Sequence, residues 1–189
     1  VVDVKDWSPD ELGRLARRVV ARDSMLQGFG IAWEYGVSPA GKGKPLFNYA
    51  RRSDSGITER DISDAFDYRV DPLYQRAVRE RRSFWSEPVL ESAGTGKEVV
   101  VFVTPILKED QVLGVVVCNI DRGTFRELAH RIGFQSRQWI LLDNKGSAIA
   151  ASENGAIRIA GRETMKGVQL RDIMEHLGLN PDQAEPLLA

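Results

Sequence analysis

The chain has 189 residues, 42% of them hydrophobic and 28% charged, with a formal net charge of −1. This is the composition of an ordinary globular protein of one domain, or of a domain and part of a second. The charge balance points to neither nucleic acid nor an anionic membrane surface. Cys118 is the lone cysteine, which excludes an intrachain disulfide framework and a multi-cysteine metal site, and no apolar run reaches the roughly eighteen residues of a membrane span.

Val1 stands where an initiator Met would, and no signal-peptide pattern follows it, so a segment of a longer polypeptide is expected. The first helix starts with Ser8 as N-cap, Pro9 at the first helical position and Glu11 closing a capping box. Trp7 before the cap is placed to staple onto Leu12. Leu12, Leu15, Ala16, Val19 and Val20 recur at helical spacing, with Arg14, Arg17, Arg18 and Arg22 elsewhere, and the helix should end near Ser24. Its apolar face packs on a sheet; its outer face is also open to a partner.

Residues 28–35 and 45–51 read as strands separated by a Gly- and Pro-bearing loop. Leu46, Asn48 and Ala50 oppose Phe47 and Tyr49 across the pleat of the second. Ser53 to Gly56 is turn chemistry, and residues 58–66 read as a weak polar helix or irregular cover. Asp71 and Pro72 then cap and start a basic helix running to about Arg82. Residues 84–89 form a short third strand, and a turn over 91–97 follows it. Its G-T-G-K is similar to a phosphate-binding loop but lacks the G-x-x-x-x-G-K-[ST] spacing, and a strand follows where a helix is needed.

The apolar strands 98–107 and 112–121, rich in Val, Ile, Phe and Thr, form the central antiparallel hairpin around a short polar turn. Beyond it come a helix over 124–132, strands at 138–142 and 147–152, an extended piece at 156–164, and an amphipathic helix over 168–177 capped by Gly178. A last helix spans 181–188. This order predicts an α+β fold. Its five-stranded antiparallel sheet carries a long N-terminal helix and a helical cover, with strands in the spatial order second, first, fifth, fourth, third. A partial second α/β module follows.

Four ordered segments resemble one family. D-Y-R-V-D-P-L-Y-Q-R-A at 67–77 is similar to the segment before the third strand of Cache domains, the PAS-like extracytoplasmic sensors. S-F-W-S-E-P-V at 83–89 resembles their W-S-x-P strand, and V-F-V-T-P-I-L-K-E-D-Q-V-L-G-V-V-V-C-N-I-D at 101–121 their hairpin. Q-W-I-L-L-D-N-K-G-S-A-I-A at 138–150 resembles the opening of the membrane-proximal module of double Cache proteins. The resemblance covers about residues 12–177. It implies an N-terminal helix at 1–27, a membrane-distal PAS-like Cache domain at 28–137 and a partial membrane-proximal module at 138–189. It implies a small-molecule-sensing domain of a bacterial transmembrane receptor, whether histidine kinase, phosphatase, cyclase or chemoreceptor. Such a domain is the extracytoplasmic part of an inner-membrane protein, and its membrane segments and catalytic output lie outside this chain. The implied ligand is an amino acid, amine or organic acid, with no cofactor. The family's amino-acid clamp does not carry over: its Arg and Trp positions hold Asp71 and Leu73, its Tyr falls at Val89 and its strand Asp at Asn119.

Tyr68, Arg69, Asp71 and Tyr74 lie where the family gathers its ligand contacts, and Asn119 stands at its strand Asp; Trp85, Phe102 and Thr104 are further candidates from their places on the strands. Arg69 suits a carboxylate and Asp71 an amine; the alternatives are a surface charge and a helix cap. Trp85 suits a pocket wall or the core. Asn119 offers both a donor and an acceptor, and Cys118 reads as a small buried hydrophobe. Two other readings stay open: a ligand-free module that dimerises through the N-terminal helix and transmits a signal, and a small hydrolytic enzyme. His130 and His176 have no further ligand at i+3 or i+4, and no G-x-S-x-G occurs, so metal and nucleophile chemistry find no motif.

Overall fold

In a computed structural model, which describes residues 7–39, 43–91, 97–131, 139–142, 146–151, 168–176 and 180, the first helix starts as its residues require. Helix α1 (Pro9–Arg22) has the full capping box: Glu11 N donates to Ser8 Oγ at 3.3 Å, and Ser8 N donates to Glu11 Oε2 at 2.8 Å. The pieces expected at 156–164 and 181–188, and the Gly178 cap, lie outside the described residues.

The chain divides into two compact units, Val1–Trp85 with Val101–Ile120, and Ser86–Val100 with Asp121–Ala189. The strands are β1 (Leu26–Trp33), β2 (Phe47–Ser53), β3 (Gly56–Asp61), β4 (Phe84–Trp85), β5 (Val89–Leu90), β6 (Glu98–Lys108) and β7 (Gln111–Asp121). In the first unit they run β3-β2-β1-β7-β6-β4, with β1 antiparallel to both β2 and β7. This is the expected order with one strand added at the edge. That strand, β3, falls where a polar helix or irregular cover was expected. Gly56, at φ +117°, lets the Ser53–Gly56 turn close tightly, and β3 then pairs with β2 from Ser53↔Gly56 to Asn48↔Asp61. Its exposed Thr58, Arg60 and Asp61 are the polar residues of an edge strand.

Helix α1 lies on one face of this sheet. Leu12 packs with Ile31, Trp33, Leu46 and Leu113, while Ala16 and Val20 pack with Ala50. Trp7 joins the first cluster, as the staple predicts. Arg52 closes the far end of the helix: its guanidinium donates to the carbonyls of Val20, Asp23 and Leu26. The Val20 carbonyl, in the last turn, has no helical partner of its own. A short 3-10 turn (Tyr68–Val70) then leads into α2 (Pro72–Glu80). Helix α2 stops short of the predicted Arg82 because Arg81 takes a left-handed conformation at φ +54°.

The single strand expected over 84–89 is two short ones, β4 and β5, with Pro88 between them and unable to donate to a ladder. In the second unit β5 pairs with the start of β6, Val89↔Val99 and Leu90↔Glu98. Helix α3 (Arg122–Arg131) begins at Asp121, whose Oδ1 accepts from Gly123 N at 2.6 Å. Strands β8 (Ile140–Leu142) and β9 (Ala148–Ala151) form an antiparallel pair, followed by α4 (Leu170–His176). Ala148, Ala151, Val168 and Ile173 make a small core of their own, with Ile140 and Leu142 against it.

Candidate functional site

The face of the first sheet opposite α1 is set by register. Gly28 stands between Arg51 and Asn119, Gly30 between Tyr49 and Val117, and Ala32 between Phe47 and Val115. Directly paired residues share a face, so these nine form three rows. The two glycines leave a trough, and the Tyr49 side chain fills it. A Cβ at Gly28 would stand 2.1 Å from the Tyr49 hydroxyl, and one at Gly30 2.5 Å from the Phe47 ring and 2.8 Å from Tyr49. Asn119 Nδ2 donates to that hydroxyl at 2.8 Å.

From Tyr49 a run of aromatic rings crosses to the helical cover. Phe47 lies 5.8 Å from Tyr49 and 5.5 Å from Tyr68, and Tyr68 lies 5.1 Å from Tyr74, all edge-to-face. The Tyr68 hydroxyl donates to Trp33 O at 2.7 Å and accepts from Leu46 N, tying the cover to β1 and to the start of β2. The Tyr74 hydroxyl donates to Glu34 Oε2 at 3.1 Å. Burial raises the pKa of both phenols, and for Tyr74 the Glu34 carboxylate raises it further. Both therefore act as neutral hydrogen-bond donors at neutral pH. The row thus has an amide at one end, Asn119, and a carboxylate at the other, Glu34.

Tyr68, Tyr74 and Asn119 are brought together by this row. Trp85 and Phe102 form a second group on paired positions of β4 and β6, rings 4.9 Å apart, with Thr104 Oγ1 2.6 Å from Ser83 Oγ. Asp71 caps α2, accepting from Leu73 N at 2.8 Å and Tyr74 N at 3.2 Å. The exposed Arg69 is bidentate to Asp67, at 2.8 and 3.0 Å, with its guanidinium 5.4 Å from the centre of the Tyr35 ring. That pairing holds the Asp67 carboxyl below its usual range and raises the Arg69 guanidinium. Sequence reasoning passed over Glu34, Phe47 and Tyr49. The G-F-G of β1 was the available signal, since glycine inside a strand marks the close approach of another group.

Among the described residues no cluster of His, Cys, Asp or Glu is arranged to hold a metal. An open cleft of about 400 Å³ runs along α1, lined by Trp7, Glu11, Arg14 and Arg18. It is a solvated, charged groove, unlike the mainly apolar enclosure that holds a small ligand.

Residues 12–127 match the sequence model of the family described as methyl-accepting chemotaxis protein-like, first PDC sensor domain. No curated protein matches the chain. Among solved structures, the extracellular domain assigned to the histidine kinase soHK1S-Z6 is 21% identical, with a TM-score of 0.63 over 79% of this chain and 56% of that one. A structure named methyl-accepting chemotaxis protein X is 14% identical, with a TM-score of 0.65 over 97% of this chain and 67% of that one. The ligand-binding domain of the Campylobacter jejuni chemoreceptor Tlp3, in complex with L-valine, is 17% identical, with a TM-score of 0.53 over 76% of this chain and 52% of that one. The chain thus spans little more than half the length of the kinase and Tlp3 domains. At these identities the likeness is one of fold.

Proposed function

The chain belongs to the methyl-accepting chemotaxis protein-like family of first PDC sensor domains, and from that premise we propose that it is the small-molecule-sensing part of a bacterial transmembrane receptor. Its place is extracytoplasmic, as for the extracellular kinase domain that shares its fold, and its role is to bind rather than to turn over a ligand. The output, whether kinase, phosphatase, cyclase or chemotaxis signalling, is carried by other parts of the receptor. The residues from 138 onward are proposed as a second, membrane-proximal module, supported by the separate core of β8, β9 and α4.

The observation that carries the reading is the buried row from Asn119 through Tyr49, Phe47, Tyr68 and Tyr74 to Glu34, on the sheet face away from α1. It is mainly apolar with a polar group at each end, the composition of a small-ligand site. Tyr68, Arg69, Asp71, Tyr74, Trp85, Phe102, Thr104 and Asn119 are proposed around it. The ligand is an organic acid, an amine or an amino acid; Tlp3 is bound to L-valine. The outward face of α1, with Glu11, Arg14 and Arg18 exposed, is proposed as a contact for a second copy. That contact would appear as concentration-dependent mass in analytical ultracentrifugation.

A thermal-shift screen of amino acids, amines, carboxylates and sugars tests the proposal. A ligand at 100 times its dissociation constant should stabilise the chain by about 2.7 kcal/mol. Asn119→Ala and Arg69→Ala should then weaken that shift. If every compound leaves the melting temperature unmoved, the ligand-free module becomes the better reading.

A further inference from the structure

We propose that Tyr49 is a resident occupant of the ligand site, and that a ligand enters by turning its phenol off Asn119. The inference rests on the sensor reading above and adds what the ligand must resemble. Two glycines in one strand, Gly28 and Gly30, leave free the space that a Cβ at either would take from the Tyr49 side chain. The ring therefore lies against both glycines, and Asn119, the position where the resemblance places a ligand-binding acid, donates to its oxygen. Phe47 walls the trough edge-on, and Arg51 flanks Gly28 on the row opposite Asn119.

A trough of that shape accepts a flat ring, and Asn119 Nδ2 demands an oxygen acceptor at its end. The ligand is therefore a small planar molecule carrying such an oxygen, a phenol or an aromatic carboxylate. Tyr49 supplies this chemistry from within the chain and competes with it from outside. In leaving, the phenol gives up its hydrogen bond with Asn119 and its edge-to-face contact with Phe47.

The probes are p-cresol and benzoate, titrated calorimetrically into the wild type, Tyr49→Phe, Tyr49→Ala and Tyr49→Ala/Asn119→Ala. Tyr49→Ala should bind one of them at least tenfold more tightly than the wild type, and the added Asn119→Ala should remove most of that gain. Tyr49→Phe should bind about fivefold more tightly than the wild type, the size of one ordinary hydrogen bond that no longer has to break. A folded Tyr49→Ala that binds neither probe, or binds no better than the wild type, overturns the proposal. If Tyr49→Ala does not fold, Tyr49→Phe decides, and equal or weaker binding overturns it. The two readings fail separately. A screened metabolite that needs Asn119 but is indifferent to both Tyr49 variants leaves the sensor standing and removes the occupant. Binding of p-cresol to Tyr49→Ala, with no metabolite bound by the wild type, does the reverse.

Discussion

Tyr74 and Arg69 are five residues apart, and their polar contacts differ in kind. The Tyr74 hydroxyl is buried and donates to a carboxylate, whereas Arg69 and Asp67 are both nearly half exposed. Tyr74→Phe should therefore cost about 1.5 kcal/mol in urea denaturation, as expected for a buried hydrogen bond to a charged group. Arg69→Ala should leave the unliganded melting temperature almost unchanged, because exposed ion pairs contribute little. Cys118 is a further case where surroundings decide behaviour. Burial first, and then the nearby Asp23, push its thiol up to about 11. At pH 8 its alkylation by iodoacetamide should be about a hundredfold slower than that of free cysteine, since only the thiolate reacts. Alkylation at the free-cysteine rate would show the site to be open.

The elements hold together largely through their ends. Arg52 gathers the carbonyls of Val20, Asp23 and Leu26, from the last turn of α1 to the start of β1, so Arg52→Ala should lower stability by about 2 kcal/mol, with early amide exchange in the last turn of the helix. At the other end, hydrogen bonds from the Ser8 backbone and side chain hold the Glu11 carboxyl below its ordinary 4.5. The sign follows from linkage. A depressed carboxyl stabilises the fold at pH above 4.5, and this contribution is lost as pH falls through the lower folded value. A melting-temperature profile from pH 6 to pH 3 should therefore fall less steeply for Glu11→Gln than for the wild type. Gly114 sets a tolerance of another sort. A Cβ there would meet Ala32 O at 2.5 Å, so Gly114→Ala must shift backbone between β1 and β7 and should be strongly destabilising. Cap chemistry is local, which is why α1 and the start of α2 were legible in the sequence. Strand β3 was not, because an exposed edge strand and a polar cover share one composition. Its identity depends on the turn at Gly56 bringing it alongside β2.

On the scale of the whole molecule, the sheet order was legible because one long apolar hairpin, β6 and β7, leaves few ways to place the rest. The row of aromatic residues proposed as the site was legible only in part. Tyr68, Tyr74 and Asn119 were accessible through motif resemblance, but the residues that join them, Phe47 and Tyr49, meet their partners through cross-strand register and ring packing. Neither is written in any one segment. The same register turns the glycines of β1 from apparent weak points into the floor of a trough.

The sheet face opposite α1 is proposed to receive a small ligand. The most direct measurement is a two-dimensional ¹H–¹⁵N spectrum of the chain, titrated with the compound from the thermal-shift screen that stabilises it most. Binding there should concentrate the shifts at Gly28, Gly30, Tyr49, Tyr68, Tyr74 and Asn119, with the outward residues of α1 unmoved. Shifts centred on Glu11, Arg14 and Arg18 with the Tyr49–Asn119 row silent, or a spectrum that no compound changes, would contradict it.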